Sequence, residues 1–221
     1  MPQHELRARV LAAAASAPSP TRGRTWARNI ALAVAATAVP VALFRSFYGM
    51  RLDARPELLV RATAGGAAVI ALGVSLLALF RGRSMLGRRR STLLALVIGV
   101  PLMLLLWKLG ATLWFPKMFV LHLERHGFRC LALGCLLAPA PLAAVLWSRR
   151  GTDFVQPTLS GATLGVAVGA VAWVFVDLWC PVTDYHHLLL GHVLPVLLTT
   201  LVGAIAGRRV LDLPAIRPSR R

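Results

Sequence analysis

A chain of 221 residues in which 57% are hydrophobic and only 15% are charged carries more apolar surface than a soluble core of this size needs, so a soluble enzyme is excluded. The natural solvent for such a surface is a lipid bilayer. The formal net charge of +17 does not indicate direct nucleic-acid binding, because the basic residues lie between apolar runs and not on one polar domain.

The N-terminal segment has apolar residues at helix-like intervals over residues 4–17, and Pro18 and Pro20 end this pattern. A basic run then leads to the first apolar stretch. Such an amphipathic helix can lie on anionic lipid or dock in a groove of a partner protein, and the residues leave both alternatives open. The candidate docking residues are Glu5, Leu6, Arg7, Arg9, Val10 and Leu11.

Six stretches approach the roughly 20 mostly apolar residues that a transmembrane helix requires. Their continuous hydrophobicity favours helices over barrel strands, in which polar and apolar residues alternate. The first stretch has the outline of a signal peptide, but several apolar segments follow it, and we predict that it is an uncleaved span. The predicted spans are residues 27–47, 58–80, 92–115, 128–147, 158–180 and 187–206.

The distribution of arginine predicts the orientation of these spans, because Lys and Arg collect in cytoplasmic loops. Basic residues are concentrated in the N-terminal segment, in the second and fourth connections, and in the C-terminal tail. We therefore predict an all-α integral membrane protein, a bundle of six transmembrane helices with both termini in the cytoplasm. Its parts are a cytoplasmic segment of residues 1–26, a transmembrane domain of residues 27–206 and a basic cytoplasmic tail of residues 207–221.

Three charged residues lie at least three positions inside the ends of the predicted spans: Arg61, Lys108 and Asp177. Intramembrane charges are candidates for function. Arg61 and Asp177 lie within about a turn of a periplasmic end, and Lys108 has a long stem, so we expect these side chains to reach an interface. No paired carboxylates, phosphate-binding loop or Ser/His/Asp arrangement is present, and we predict no enzymatic activity.

Cys130 begins the fourth predicted span and Cys180 ends the fifth, which places both at the same periplasmic depth. Two thiols on adjacent antiparallel helices can form a disulfide if their Cα atoms come within about 7 Å. The alternative is two buried packing residues, the role that we assign to Cys135.

Five of the six histidines fall near this same outer face, and imidazole with thiolate suits zinc or copper. His122, His126 and His187 are only weak candidates for metal ligands, because their spacing matches no recognised motif and histidines are common at membrane edges. No cofactor is predicted.

Gly161, Gly165 and Gly169 lie four residues apart on one face of the fifth predicted span. This spacing lets two helix backbones approach closely, and we predict a helix-packing seam there. Whether a second copy of the chain uses the seam is left open.

Several features of the C-terminal half occur together in order. They are the Arg-Cys pair at 129–130, the double arginine at 149–150, the glycine and alanine ladder of 161–170, the Cys-Pro pair at 180–181 and the closing GAIAGRRVL of 203–211. In this order they resemble the NrsF-type family of polytopic inner-membrane anti-sigma factors. The chain departs from the family pattern at Trp179, where histidine is common, and at Gly191, where an aromatic is usual. Upstream of Gly127 the likeness is one of topology.

The resemblance implies a six-span protein that holds an extracytoplasmic-function sigma factor at the membrane until a stress signal releases it. The chain is also similar to a family member that regulates light-induced carotenoid synthesis, which makes light an alternative signal. By resemblance, Cys130 and Cys180 are the signal-responsive thiols and residues 4–17 are the leading docking segment.

The implied partners are therefore a sigma factor and membrane lipid, with a homo-oligomer left open. Two other functions remain as alternatives. One is a small membrane redox or metal-binding protein that uses the outer cysteines and histidines, and the less favoured one is a small transporter.

Overall fold

The computed structural model of the chain is all-helical, with no strand among the residues that it describes. Those residues are 22–48, 57–79, 89–114, 127–151, 153, 155–180, 182 and 184–212, together with Glu5, Ala8 and Leu11. The helices are α1 (Arg22–Tyr48), α2 (Glu57–Leu79), α3 (Arg90–Trp114), α4 (Phe128–Leu137), α5 (Pro139–Ser148), α6 (Pro157–Trp179), α7 (Tyr185–Leu188) and α8 (Leu194–Val210), with a π-helical segment (Leu189–Val193) between the last two. The predicted helical class is confirmed.

Five helical stretches are long and apolar enough to cross a membrane. They are Arg61–Leu79, Arg90–Ala111, Phe128–Ser148, Pro157–Trp179 and Tyr185–Val210. These stretches coincide with the second to sixth predicted spans. The first predicted span falls on α1, where the apolar part, Ile30–Ala42, is shorter than the others. Five helical stretches with the length and composition of membrane spans are therefore found, while the sixth span and the orientation of the bundle stay predictions.

Prolines explain why two predicted spans are not single α-helices. The fourth is divided at Ala138, since Pro139 has no N–H to continue the ladder and instead begins α5. The last begins two residues earlier than predicted, at Tyr185, because the side chain of Asp184 caps it by accepting a hydrogen bond from the His187 N–H at 3.1 Å. Its π-helical segment ends at Val193, two residues before Pro195, which cannot donate a regular helical bond.

Helix α6 is the centre of the bundle. It contacts α2, α3, α4, α5 and α8, and most of its residues are buried. Its sequence is apolar all round and rich in glycine, alanine and valine, which is the composition of a helix surrounded by other helices. The position of α6 is consequently fixed from several sides by its neighbours.

The glycines of α6 meet a matching surface on α8. A Cβ atom on Gly161 would collide with the Gly203 carbonyl and would lie 2.6 Å from the Gly207 Cα, so the two backbones are already in contact. Further along, Gly165 and Gly169 face the turn of α8 that contains Thr199. Because α8 occupies this face, the glycine seam is not open to a second copy of the chain.

A buried ion pair joins α3 to α6. The Lys108 ammonium donates to the Asp177 carboxylate, and both side chains are at most 3% exposed. The expectation that these two charges reach an interface is therefore wrong: the two helices pack together, and each charge is neutralised by the other inside the bundle. Arg61, in contrast, is exposed.

Replacing Gly165 by alanine should destabilise the protein, because the new Cβ would lie 2.8 Å from the Thr200 Cα and would force α6 and α8 apart. Overpacking of this kind costs about 1–3 kcal/mol. The expected result is a lower thermal unfolding midpoint in detergent. Gly73→Ala is the matched control, since nothing lies within 4 Å of its Cβ position and alanine favours the helix. Equal midpoints for the two variants would contradict the seam.

Lys108→Met should be strongly destabilising, because it leaves the Asp177 carboxylate buried without its cation. Breaking a buried ion pair on one side costs about 3–5 kcal/mol. The double variant Lys108→Met/Asp177→Leu should recover most of the lost stability in a detergent unfolding assay. Additive losses in the double variant would show that the two charges do not interact.

Candidate functional site

Four side chains able to bind a metal or react with an oxidant meet at one end of α6. They are Cys130, Cys180, His187 and His192, and their sulfur and ring nitrogen atoms all lie within 4.8 Å of one another. Each of the four residues is at most 6% exposed. We call this group the Cys-His cluster.

Cys130 reaches the cluster because two glycines let α4 approach the π-helical segment. A Cβ atom on Gly127 would lie 2.8 Å from the Gly191 nitrogen, and one on Gly191 would lie 2.9 Å from the Cys130 Cβ. Only residues without a side chain fit at these two positions. The close packing next to Cys130 therefore requires glycine at position 191.

Cys180 takes its position from the end of α6. Its N–H bonds the Val176 carbonyl at 2.9 Å, but its own backbone is extended, with φ −101° and ψ 111°, so the chain leaves the helix there. The thiol sulfur lies 3.1 Å from His187 Nε2. An imidazole beside a thiol favours the thiolate, which is both the nucleophile and the metal-binding form of cysteine.

The two histidines come from the last predicted span. Asp184 fixes the backbone of His187 through the cap of α7. The His192 ring packs edge-on against Trp173, with ring centroids 5.1 Å apart, and lies 5.7 Å from the His187 ring. Neither ring nitrogen of His192 has a hydrogen-bond partner among the described residues, although both are buried.

The residues of this cluster can react in two ways. The two thiols are free and close, so oxidation can join them in a disulfide. Alternatively, two thiolates and two imidazoles form a Cys2His2 ligand set for a tetrahedral metal ion. Both chemistries use the same sulfur atoms, so one excludes the other.

The structure brings together Cys130, Cys180 and His187 among the residues singled out from the sequence. Cys135 is half-buried and lies outside the cluster. His122 and His126 lie outside the described residues. The same is true of four docking candidates, Leu6, Arg7, Arg9 and Val10. Glu5 and Leu11 are described, and both are helical and exposed.

His192 was not among the predicted ligand candidates, and it lies five residues after His187. Residues five apart lie on different faces of an α-helix with 3.6 residues per turn. The π-helical segment Leu189–Val193 widens the turn between them and brings the two rings to the same side. The one feature of the sequence that indicated a role for His192 was its predicted position at the same outer face as the other histidines.

Comparison with known proteins agrees with the resemblance seen in the C-terminal half. The chain matches the family model described as NrsF, negative regulator of sigma F, over residues 11–212, which includes the whole Cys-His cluster. It is also 32% identical, over 90 residues, to the anti-sigma-F factor NrsF of Caulobacter vibrioides (strain NA1000 / CB15N).

That alignment covers 40% of this chain and 42% of the relative, so it spans less than half of either protein. No solved structure matches the chain. The family match, however, extends from the N-terminal segment to the end of the last helix and confirms the resemblance. This chain therefore belongs to the NrsF family, the negative regulators of sigma F.

Proposed function

We propose that this protein is a membrane-bound anti-sigma factor. It binds an extracytoplasmic-function sigma factor at the cytoplasmic face of the bacterial inner membrane and keeps the regulated genes silent until a signal arrives. Family membership supports the sigma-factor partner and a regulatory role without catalysis. The proposal that the protein responds to a signal is supported by the Cys-His cluster, which lies at one end of the central helix α6.

The central helix is suited to carry a change across the bundle. The cluster holds its Cys180 end, while at its Pro157 end a Cβ on Gly207 would lie 2.7 Å from the Pro157 carbonyl. Backbones in direct contact have no side-chain slack to absorb a movement, so a shift of α6 must also move α8. The predicted orientation places the cluster outside and the Pro157 end in the cytoplasm.

The proposed signal acts on the two thiols of the cluster. Thiol–disulfide exchange with a disulfide-bearing oxidant forms the Cys130–Cys180 bond, and the oxidant is reduced to two thiols as it takes up two electrons and two protons. The new bond converts the Cys180 thiol that lies against His187 into a disulfide sulfur, which has no proton to share with the ring. A stress condition is the proposed source of the oxidant, and a light signal is the alternative.

The proposed docking segment is the N-terminal helix pattern. Leu11 is 61% exposed in the structure, so its apolar side chain is free to enter a partner's groove. The arginines interspersed in this segment also favour anionic lipid, which would hold the segment at the membrane surface in the absence of the partner.

A second candidate is a membrane redox or metal-binding protein without a sigma-factor partner, and the Cys-His cluster favours it. Co-purification of a sigma factor with the intact chain separates the two candidates. The hypothesis that the protein is a transporter has less support, because among the described residues the Lys108 charge within the bundle is neutralised by Asp177.

Deleting residues 4–17 should abolish co-purification of the sigma factor with the full-length protein. The point variant Val10→Asp should weaken it strongly, because it places a charge in the centre of the apolar face. Ala12→Asp is the matched control, since two residues further along a helix the side chain points to the opposite face. If the sigma factor is still retained after the deletion, it docks on residues 81–90 or on the tail instead.

Replacing both cluster cysteines, Cys130→Ser/Cys180→Ser, should leave the sigma factor bound when a thiol oxidant is added to cells. A reporter gene under the sigma factor's promoter should then stay silent, whereas the wild-type chain should allow induction. Cys135→Ser is the control, because this cysteine lies outside the cluster and should respond like the wild type. Unchanged induction in the double variant would show that the two thiols are not required for signalling.

A further inference from the structure

We infer that the Cys-His cluster is a binding site for one divalent metal ion of the zinc type, with Cys130, Cys180, His187 and His192 as its four ligands. The donor atoms of a tetrahedral zinc site lie about 3.3–3.8 Å apart, as follows from bond lengths of about 2.0–2.3 Å. Here all four donors lie within 4.8 Å of one another. A shift of about 1 Å in the side chains closes the coordination sphere.

His192 provides the second, independent observation. Its ring is only 2% exposed, and neither ring nitrogen has a hydrogen-bond partner among the described residues. A buried polar atom without a partner costs about 1–3 kcal/mol, so the ring would be an unfavourable choice for a purely structural core. A metal ion bound to one nitrogen accounts for an imidazole at this position, aimed into the cluster and held there by Trp173.

Charge balance selects a divalent ion. Two thiolates and two neutral imidazoles carry a charge of −2, so a divalent cation makes the whole site neutral, and a neutral site can be buried at low cost. A monovalent copper ion would leave a net negative charge in the apolar interior. Thiolate and imidazole donors are also poor ligands for magnesium and calcium, which bind oxygen.

Two carboxylates near the cluster in the described part of the chain are engaged elsewhere. Asp177, one helical turn before Cys180, forms the buried pair with Lys108, and Asp184 caps α7. Among the described residues, the ligand set is thus the four cluster residues. A bound ion would join α4, the end of α6, α7 and the π-helical segment in one unit and would withhold both sulfurs from oxidation. Metal binding by the cluster does not require the sigma-factor partner.

Cobalt(II) is the probe, because it takes the place of zinc and reports tetrahedral thiolate coordination by its absorption. The full-length protein is purified in detergent with its thiols reduced and counted, then titrated with Co²⁺. We expect a thiolate-to-cobalt charge-transfer band and visible d–d bands that saturate at one ion per chain and disappear when Zn²⁺ is added. Zn²⁺ should also raise the thermal unfolding midpoint.

The single variants His192→Ala, His187→Ala and Cys180→Ser should each weaken Co²⁺ binding by at least about 10-fold, the lower bound expected from the loss of outer-shell partners. His186→Ala is the matched control: this histidine is adjacent but exposed and stacks on Tyr185, and its loss should leave binding unchanged. Helical circular dichroism and the elution volume of each variant show that it has folded, and the three positions test the site independently.

Absence of the charge-transfer band in the reduced wild-type protein would overturn the inference. A band that persists undiminished in folded His192→Ala or His187→Ala would also overturn it, since two thiolates alone would then bind the ion. Neither result affects the sigma-factor interaction, which co-purification measures separately.

Discussion

The close contact between α6 and α8 is the constraint on which the rest of the structure depends. At Gly161, Gly203 and Gly207 the two backbones touch, with no side chain between them. In a bilayer there is no hydrophobic force to drive two apolar helices together, so van der Waals packing of this kind has to do it. This contact fixes α6 in the middle of the bundle and thereby sets where its Cys180 end lies.

The polar groups of the interior follow from that central position. The Asp177 carboxylate faces α3 and is neutralised by Lys108, and one turn later Cys180 meets the thiol and imidazoles of three other segments. Burying such groups is costly unless each finds a partner. Burying four reactive side chains at the end of a tightly packed helix therefore lowers the stability of the fold. This cost indicates that the cluster has a function.

Five apolar stretches of membrane-spanning length were predictable because a bilayer demands runs of about 20 apolar residues, and the structure has a helical stretch at each of them. The common depth of Cys130 and Cys180 was predictable for the same reason, since it depends only on where the spans end. The partner of the glycine seam, the Lys108–Asp177 pair and the inclusion of His192 were not predictable. Each depends on which helix faces meet, and for His192 on a π-helical turn before Pro195.

The sequence by itself determined the helical class, the apolar spans, the asymmetric distribution of arginine and the family. Hydrophobic length places a residue at a depth along the membrane normal, but it says nothing about the rotation of a helix around its own axis. The tertiary structure decided that rotation through the contacts of small residues, among them Gly127 against Gly191 and Gly161 against Gly207. Those contacts bring two cysteines at one depth together with two histidines in the Cys-His cluster.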